Sequence, residues 1–213
     1  MRLGVLISAR ALKRSVRRFW FDNHGGAVVE MGIILPVMLL LFVAGLVAQD
    51  SVRMAYLNNK AVYTVSDMVS REDELIDGGY FNGLHSVYRY LIDQRFPTGM
   101  RITTIECTAN CTNEETRVLE VCWSQTTAGL AQLTTEDIEA YNAKTPLFAE
   151  GDTLLMTEAF LDYSPLIDNA LMPTQTYEAI AFTRPRIIGQ VKFDTGTVDG
   201  DGNQILRDCF NNT

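Results

Sequence analysis

The sequence lacks the motifs that mark the common enzyme classes. It contains no G-x-S-x-G, no P-loop, no H-E-x-x-H pair and no Rossmann fingerprint. Histidine is scarce, and His85, on a predicted helix, has no evident partner for acid–base or nucleophilic chemistry. We therefore expect a protein that is not an enzyme and needs no cofactor. An anchored hydrolase would need a catalytic arrangement that only the fold brings together.

Positive charge is sparse over most of the chain. From Gln49 onward the sequence has 12 Lys and Arg against 24 Asp and Glu, whereas the residues before Gly26 have six Lys and Arg against one Asp. The acidic body therefore has no basic patch, which argues against nucleic acid as a partner.

Charge is missing altogether from Met31 to Ala48, which read MGIILPVMLLLFVAGLVA. Counted back to Ala27, the apolar run contains one carboxylate, Glu30. A helix of about 20 such residues crosses the roughly 30 Å hydrocarbon core of a bilayer. The basic residues before the run predict a cytoplasmic amino terminus, with the acidic body on the far side of the membrane.

Two ordinary interpretations of this run are available. A cleaved secretory signal peptide fits poorly, because the run exceeds the usual length of about 7–15 residues and no A-x-A site follows it. An uncleaved signal anchor explains everything except Glu30, since a carboxylate at membrane depth costs a few kcal/mol. A further alternative is that Glu30 snorkels to the cytoplasmic interface.

Residues 24–36, HGGAVVEMGIILP, resemble the class III signal of type IV pilins. The resemblance implies that a prepilin peptidase cuts after Gly25, so that Gly26 becomes the first residue of the mature chain and Glu30 the fifth. With Leu35-Pro36 and the Leu-rich run that follows, the segment is most similar to TadE/TadG-like minor pseudopilins of tight-adherence (Flp) pilus systems. Met31 stands where that family often has Phe. Weaker similarities lie in VCWS, residues 121–124, and FTRPR, residues 182–186.

The resemblance also implies a role and a set of partners. Glu30 is expected to pair with the new amino-terminal amine of a neighbouring subunit, because a carboxylate at this depth is tolerable when a cation satisfies it. The expected partners are the bacterial inner membrane, the prepilin peptidase, other pilins or pseudopilins and the pilus assembly platform. Independently of the resemblance, Pro36 lacks a backbone N–H, frees the Gly32 carbonyl and is expected to kink the helix.

The fold predicted from the pattern is α+β. The apolar helix is expected to continue from Gln49 to Ser70 as a spine, with one buried face consisting of Val52, Ala55, Tyr56, Asn59, Val62, Tyr63, Ser66 and Val69. DGG at residues 77–79 predicts a break, followed by a helix through Leu84 and Tyr88 that ends before Pro97. The chain is thus divided into a leader, residues 1–25, a transmembrane helix, 26–48, and a periplasmic domain, 49–213.

The second half of the chain predicts strands. Residues 101–107 and 116–124 form a predicted hairpin, residues 134–144 a short helix, and residues 153–163 and 177–189 two further strands. These strands predict a small antiparallel sheet of about four strands packed on the spine, a pilin-like plan.

Four cysteines, Cys107, Cys111, Cys122 and Cys209, all lie in the acidic body. In an oxidising compartment they predict two disulfides, for which three connectivities are possible. Because Cys107 and Cys111 bracket a short loop, we favour that pair together with Cys122–Cys209. A zinc site is the alternative, but no histidine lies near.

Asp199, Asp201 and Asn203 match the start of a calcium-binding EF-hand loop. The match then breaks, because Gln204 replaces the turn glycine and Phe210 replaces the bidentate glutamate. A Gly- and Asp-rich turn before a final strand is the favoured interpretation, and no metal is expected.

The sequence therefore predicts a structural assembly protein, and the resemblance implies that it is a minor pseudopilin of a tight-adherence system. The alternative is an uncleaved, signal-anchored periplasmic domain that acts as a binding module or as a scaffold for an envelope complex.

Overall fold

The computed structural model describes residues 26–127, 129–165, 173–200 and 204–209. The predicted leader, residues 1–25, lies outside the described residues. The chain divides into two compact units, residues 1–48 and 49–213. The elements in chain order are α1 Gly26–Ser70, α2 Gly78–Leu91, β1 Thr98–Ala109, β2 Val118–Thr126, a 3-10 helix Asp137–Tyr141, β3 Thr153–Tyr163, β4 Gln175–Thr183, β5 Phe193–Val198 and β6 Gln204–Arg207.

Helix α1 runs for 45 residues without interruption and includes Pro36. Its continuation through residues 49–70 is as predicted, since no proline or glycine interrupts that half. This second half packs into the core through side chains that are buried at helical spacing: Met54, Asn58, Ala61, Val62, Val65, Ser66, Val69 and Ser70.

The predicted buried face of α1 is partly wrong. Val62, Ser66 and Val69 are buried as expected, and Ala55 is half-buried. Asn59 is exposed, and Val52, Tyr56 and Tyr63 are between 58% and 70% exposed. The prediction gave too much weight to tyrosine, whose amphipathic ring is stable at a surface. It also overlooked Asn58, which is polar yet lies on the buried face.

Helix α2 begins inside the predicted DGG break. Asp77 is its N-cap and accepts a hydrogen bond from Tyr80 N at 2.6 Å, so Gly78 and Gly79 form the first turn of the helix. The break itself lies earlier, at residues 71–77. The helix buries Phe81, Leu84 and Tyr88, close to the expected apolar positions.

The main sheet is antiparallel, with four strands in the order β2-β1-β3-β4. The predicted hairpin is β1 and β2, and the predicted α+β class with a small antiparallel sheet is confirmed. Strand β4 is shorter than the predicted 177–189 at its carboxyl end, because Pro185 has no N–H to donate to a neighbouring strand.

Both faces of the sheet are covered. One face packs against α1 and α2 through the core that contains Met100, Leu155 and Ala159. The other face packs against residues 129–152, which contribute Leu133, Ile138 and Phe148. The predicted short helix forms here as the 3-10 helix Asp137–Tyr141, and its role as a cover for the second face is a feature that the sequence pattern did not indicate.

Strands β5 and β6 form a separate two-stranded sheet. The final strand expected after the Gly- and Asp-rich turn is β6, whereas β5 was not predicted. Backbone hydrogen bonds from Ile76 N to Lys192 O and from Asp194 N to Ile76 O attach β5 to the segment between the two helices.

Asn58 joins three elements of the core. Its side chain is 1% exposed, donates to Tyr177 O of β4 at 2.9 Å and accepts from Tyr88 Oη of α2 at 2.7 Å. A buried amide with both ends hydrogen-bonded is stabilising, and removing it leaves two buried groups without partners.

We predict that Asn58→Leu lowers the free energy of unfolding by about 3 kcal/mol, since the Tyr88 hydroxyl and the Tyr177 carbonyl both lose a partner. Urea unfolding of the full chain in detergent micelles, followed by near-ultraviolet circular dichroism, measures the change. The matched control is Asn59→Leu, because Asn59 is exposed and donates a hydrogen bond to Ala55 O of its own helix. That variant should lose less than about 1 kcal/mol. Equal losses of unfolding free energy in the two variants would contradict a stabilising role of the buried Asn58 hydrogen bonds.

Candidate functional site

The amino-terminal part of α1 contains the residues of the predicted processing and assembly site. Gly26 and Glu30 lie one helical turn apart, and both are exposed. A Cβ atom added at Gly26 would meet no atom within 4 Å. Gly25, the residue expected to precede the cut, lies outside the described residues. Within the described residues, the candidate site is therefore the Glu30 carboxylate, which lies one turn after Gly26 at the start of an apolar helix.

The residues that follow Glu30 present an apolar surface on all sides of the helix. The large apolar side chains from Val28 to Phe42 are between 47% and 76% exposed. Among the described residues, α1 is the one helix long and apolar enough to cross a membrane, which is consistent with single-pass anchoring. An apolar surface of this extent is unfavourable in water and marks a membrane or protein contact. Pro36 lies within this stretch, where it removes one backbone donor.

All four cysteines are paired in the structure. The disulfides are Cys107–Cys111, which closes the turn after β1, and Cys122–Cys209, which joins β2 to the residue just beyond β6. This is the pairing favoured from the sequence. The second bridge spans 87 residues and fastens the two-stranded sheet to the main sheet.

The two disulfides occupy the cysteine sulfurs on which the zinc alternative depends. Glu106, Cys122 and Cys209 offer ligand atoms within 4.8 Å of one another, but both sulfurs are in a disulfide, and a metal ligand must be a thiolate. Burial, and then the nearby Glu120, raise the pKa of Glu106. Of the three residues that match the start of a calcium-binding loop, Asp201 and Asn203 lie outside the described residues.

The two weaker sequence similarities coincide with structural contacts. In residues 121–124, Trp123 Nε1 donates to Val191 O at 2.8 Å. In residues 182–186, Arg184 pairs with Asp152 at 3.4 Å, and Arg186 pairs with Asp67 of α1 at 2.9 Å. Both ion pairs are solvent-exposed and lie just beyond the end of β4.

His85 contacts Thr98 and Tyr88. Its Nε2 lies 3.1 Å from Thr98 Oγ1, and its ring stacks on Tyr88. Burial, and then the charge of Arg89, lower the pKa of His85, so the ring is neutral at pH 7.

Two buried polar features were not found from the sequence. Arg101 and Glu158 form an ion pair of 2.5 Å on the face covered by residues 129–152, and Arg101 also donates to Tyr141 Oη at 2.9 Å. Gln190 lines a cavity of about 870 Å³. No local signal could have found them, because each depends on residues that are distant in sequence and come together only in the fold.

The two disulfides should differ in their contribution to stability. Replacing both Cys122 and Cys209 by Ala should lower the free energy of unfolding by about 4 kcal/mol, because that bridge restrains a long loop of the unfolded chain. The matched control replaces Cys107 and Cys111, whose short loop predicts a loss of about 2 kcal/mol. Urea unfolding of the oxidised full chain measures both. A larger loss for the short loop would contradict the prediction.

No protein-family model matches this chain, and neither a curated protein nor a solved structure matches it. The function is therefore inferred from the residues of the chain itself. The features that bear on it are Gly26, Glu30 and the single helix that carries both the exposed apolar segment and a buried face of the α+β unit.

Proposed function

We propose that this chain is a minor pseudopilin that acts structurally in the biogenesis of a tight-adherence pilus. In this proposal a prepilin peptidase removes residues 1–25, and the mature chain is held in the bacterial inner membrane by the apolar half of α1. The observation that best supports this proposal is the position of Glu30. It is the one charged residue in the exposed apolar segment, and it lies one turn from Gly26. The similarity of residues 24–36 to pilin signals supports the proposal.

Glu30 needs a partner at the depth where it lies. A carboxylate surrounded by hydrocarbon is unfavourable unless a cation pairs with it, and the loss of one partner from such a pair is strongly destabilising. The amine created by a cut before Gly26 is a cation at the correct end of the helix. Because it would belong to a neighbouring subunit, the pair would align two helices within the membrane.

The α+β unit supports a location in the periplasm. Its four cysteines all form disulfides, which persist in oxidising compartments. The six cations before Gly26, against one acid, favour a cytoplasmic amino terminus.

An uncleaved, signal-anchored periplasmic binding domain is the second candidate. The cavity beside Gln190 favours it, because structural packing in a pilus does not require a ligand cavity. The two candidates differ in the amino terminus of the protein extracted from membranes, which mass spectrometry determines: Gly26 for the pseudopilin and the original residue for the anchored domain.

Processing should depend on Gly25, while assembly should depend on Glu30. Gly25→Val should accumulate as the full-length chain, because a branched side chain blocks the peptidase at the scissile carbonyl. The matched variant Glu30→Ala should still be cut, since the glycine remains, but should fail to support pilus assembly. Immunoblots of membranes and electron microscopy of sheared pili measure the two effects. Normal cleavage of Gly25→Val would rule out this processing site.

The orientation in the membrane should follow the basic leader. A reporter active only in the periplasm should be active when fused after Thr213 and silent when fused after Arg18, because cations in short flanking segments stay in the cytoplasm. Neutral replacements of Arg10, Lys13, Arg14, Arg17 and Arg18 should weaken this preference, whereas matched replacements of five polar residues in the body should not. The reverse pattern in the wild-type fusions would contradict both candidate functions.

A further inference from the structure

The main sheet has two outer edges, formed by β2 and β4, and they are protected differently. The segment after β2 covers the edge of that strand, because Val121 N donates to Thr135 Oγ1 and Leu133 N donates to Ser124 Oγ, both at 3.1 Å. Strand β4 pairs with β3 over nine residue pairs without a bulge. Bulges, lysines, prolines and covering segments are the usual protection of an edge strand, so the outer edge of β4 needs a closer description.

The direction of the β4 backbone groups follows from the register of the sheet. In an antiparallel sheet, successive residues of a strand bond alternately to one neighbour and to the other. Asp162 N of β3 donates to Pro97 O, just before β1, at 3.1 Å, so the even-numbered residues of β3 bond to β1 and the odd-numbered residues to β4. The register places Ala159 opposite Ala179. The odd-numbered residues of β4 therefore bond to β3, and the even-numbered residues direct their N–H and C=O groups outward.

The outward-directed backbone groups belong to Thr176, Glu178, Ile180 and Phe182. The first two residues are exposed and the other two are half-buried. Within the part of the chain that the structure describes, no hydrogen bond reaches these backbone groups. The strand contains no proline or lysine, and its one charge is on Glu178. Strand β4 therefore presents an unprotected edge on which another strand can pair.

Helix α1 flanks this edge on one face of the sheet. Ser66 Oγ lies 2.8 Å from Thr183 Oγ1, and Ser70 O accepts a hydrogen bond from Arg186 N at 2.8 Å, so this side of α1 faces β4. Tyr63 lies on the same side, three residues before Ser66 and seven before Ser70, and is 58% exposed. Its ring is therefore available for an apolar contact with a strand added beside β4.

A second copy of this chain does not suit the edge. Because β4 contains no cation, antiparallel pairing of two β4 strands gives Glu178 no opposite charge. The second half of α1 also runs in the same direction as β4, since Asn58 contacts Tyr177 and Ser66 contacts Thr183. Antiparallel β4 strands would therefore point the amino-terminal ends of the two helices in opposite directions. The anchoring in the proposed function, on which this step rests, requires both chains to leave the same membrane.

Charge and side-chain packing select the sequence of the partner strand. Glu178 pairs with Lys144 at 3.9 Å, but both side chains are exposed, and such a pair contributes little. The residues from Gln49 onward are strongly acidic, so a cation is favoured opposite Glu178. Ile180 and Phe182 lie on the same face of the sheet as Glu178 and favour β-branched apolar residues opposite them.

We propose that the outer edge of β4 binds an extended segment of a partner protein as an additional antiparallel strand. The backbone of that segment bonds to the outward groups of residues 176–182. A basic side chain lies opposite Glu178, apolar side chains lie opposite Ile180 and Phe182, and a side chain on the other face contacts Tyr63. This contact is separate from Glu30 and adds a partner that neither candidate function assigns.

Hydrogen exchange of the ¹⁵N-labelled full chain in detergent micelles tests whether the edge is free. The amides of Glu178 and Ile180 should exchange at least tenfold faster than those of Ala179 and Ala181, because the latter two bond to β3. Equal protection of all four at every protein concentration would show that the chain itself covers the edge. Protection that increases with protein concentration would show that a second copy covers it. Either result would overturn the inference.

The probe for the partner strand is acetyl-Val-Tyr-Val-Thr-Lys-Thr-Thr-amide, whose third and fifth residues lie opposite Ile180 and Glu178. The probe should slow exchange of these two amides and shift their resonances to saturation. N-methylation of its third and fifth residues removes two donors that face β4 and should weaken binding at least tenfold. The matched control is N-methylation of the second and fourth residues, whose N–H groups face away, and it should leave the affinity nearly unchanged. Equal effects of the two methylations, or no saturating shift at millimolar probe, would refute strand addition.

Glu178→Lys tests the charge of the partner. The wild type should bind the probe about fivefold more tightly than the same peptide with glutamate at its fifth position, and Glu178→Lys should reverse this preference. The matched control is Glu120→Lys, an exposed residue of β2 at the other edge, which should keep the wild-type preference. An unchanged preference in Glu178→Lys would contradict the proposed pairing. Processing and pilus assembly do not enter these measurements, so their failure and the failure of the proposed function are distinguishable.

Discussion

The architecture of the α+β unit depends on how the second half of α1 is attached to the rest of the core. Asn58 fixes the rotation of α1 about its own axis, because its side-chain amide bonds to the Tyr88 hydroxyl of α2 and to the Tyr177 backbone carbonyl of β4. Apolar packing by Met54 and Val65 is compatible with small rotations of the helix, whereas two hydrogen bonds to fixed partners are not. The polar residue therefore sets which face of α1 is buried and leaves Tyr56 and Tyr63 at the surface.

The two faces of the main sheet are covered by different means. The helices cover one face with a continuous apolar core. Residues 129–152 cover the other with little regular structure, and buried arginines hold them in place. Arg101 pairs with Glu158 and reaches Ala131 O and Tyr141 Oη, while Arg117 donates to the carbonyls of Asn142, Thr145 and Pro146. Guanidinium groups suit this task because one planar group can satisfy several carbonyls of an irregular segment.

The parts of the fold that sequence patterns predicted are those encoded locally. The continuation of α1 through residues 49–70 follows from the absence of proline and glycine there, the β1–β2 hairpin from two β-rich runs around a polar loop, and the tight disulfide from two nearby cysteines. The features that the sequence patterns failed to predict depend on contacts between residues that are distant in sequence. The buried face of α1 depends on partners in α2 and β4, and β5 is held partly by its parallel bridge to Ile76. For the candidate site, Gly26 and Glu30 are named from the resemblance of residues 24–36 to pilin signals, whereas the cavity beside Gln190 requires three segments to be brought together.

Glu30 stands apart from the polar groups of the core for one physical reason. Asn58, Trp123 and Arg101 are polar and buried, and each finds its partner within the chain. Glu30 is instead surrounded by exposed apolar side chains. A polar group that is unfavourable where it lies, and that the fold does not satisfy, indicates a partner from outside the chain. In the proposed function, that partner for Glu30 is a cation at membrane depth, because such a pairing makes a carboxylate tolerable in an apolar helix.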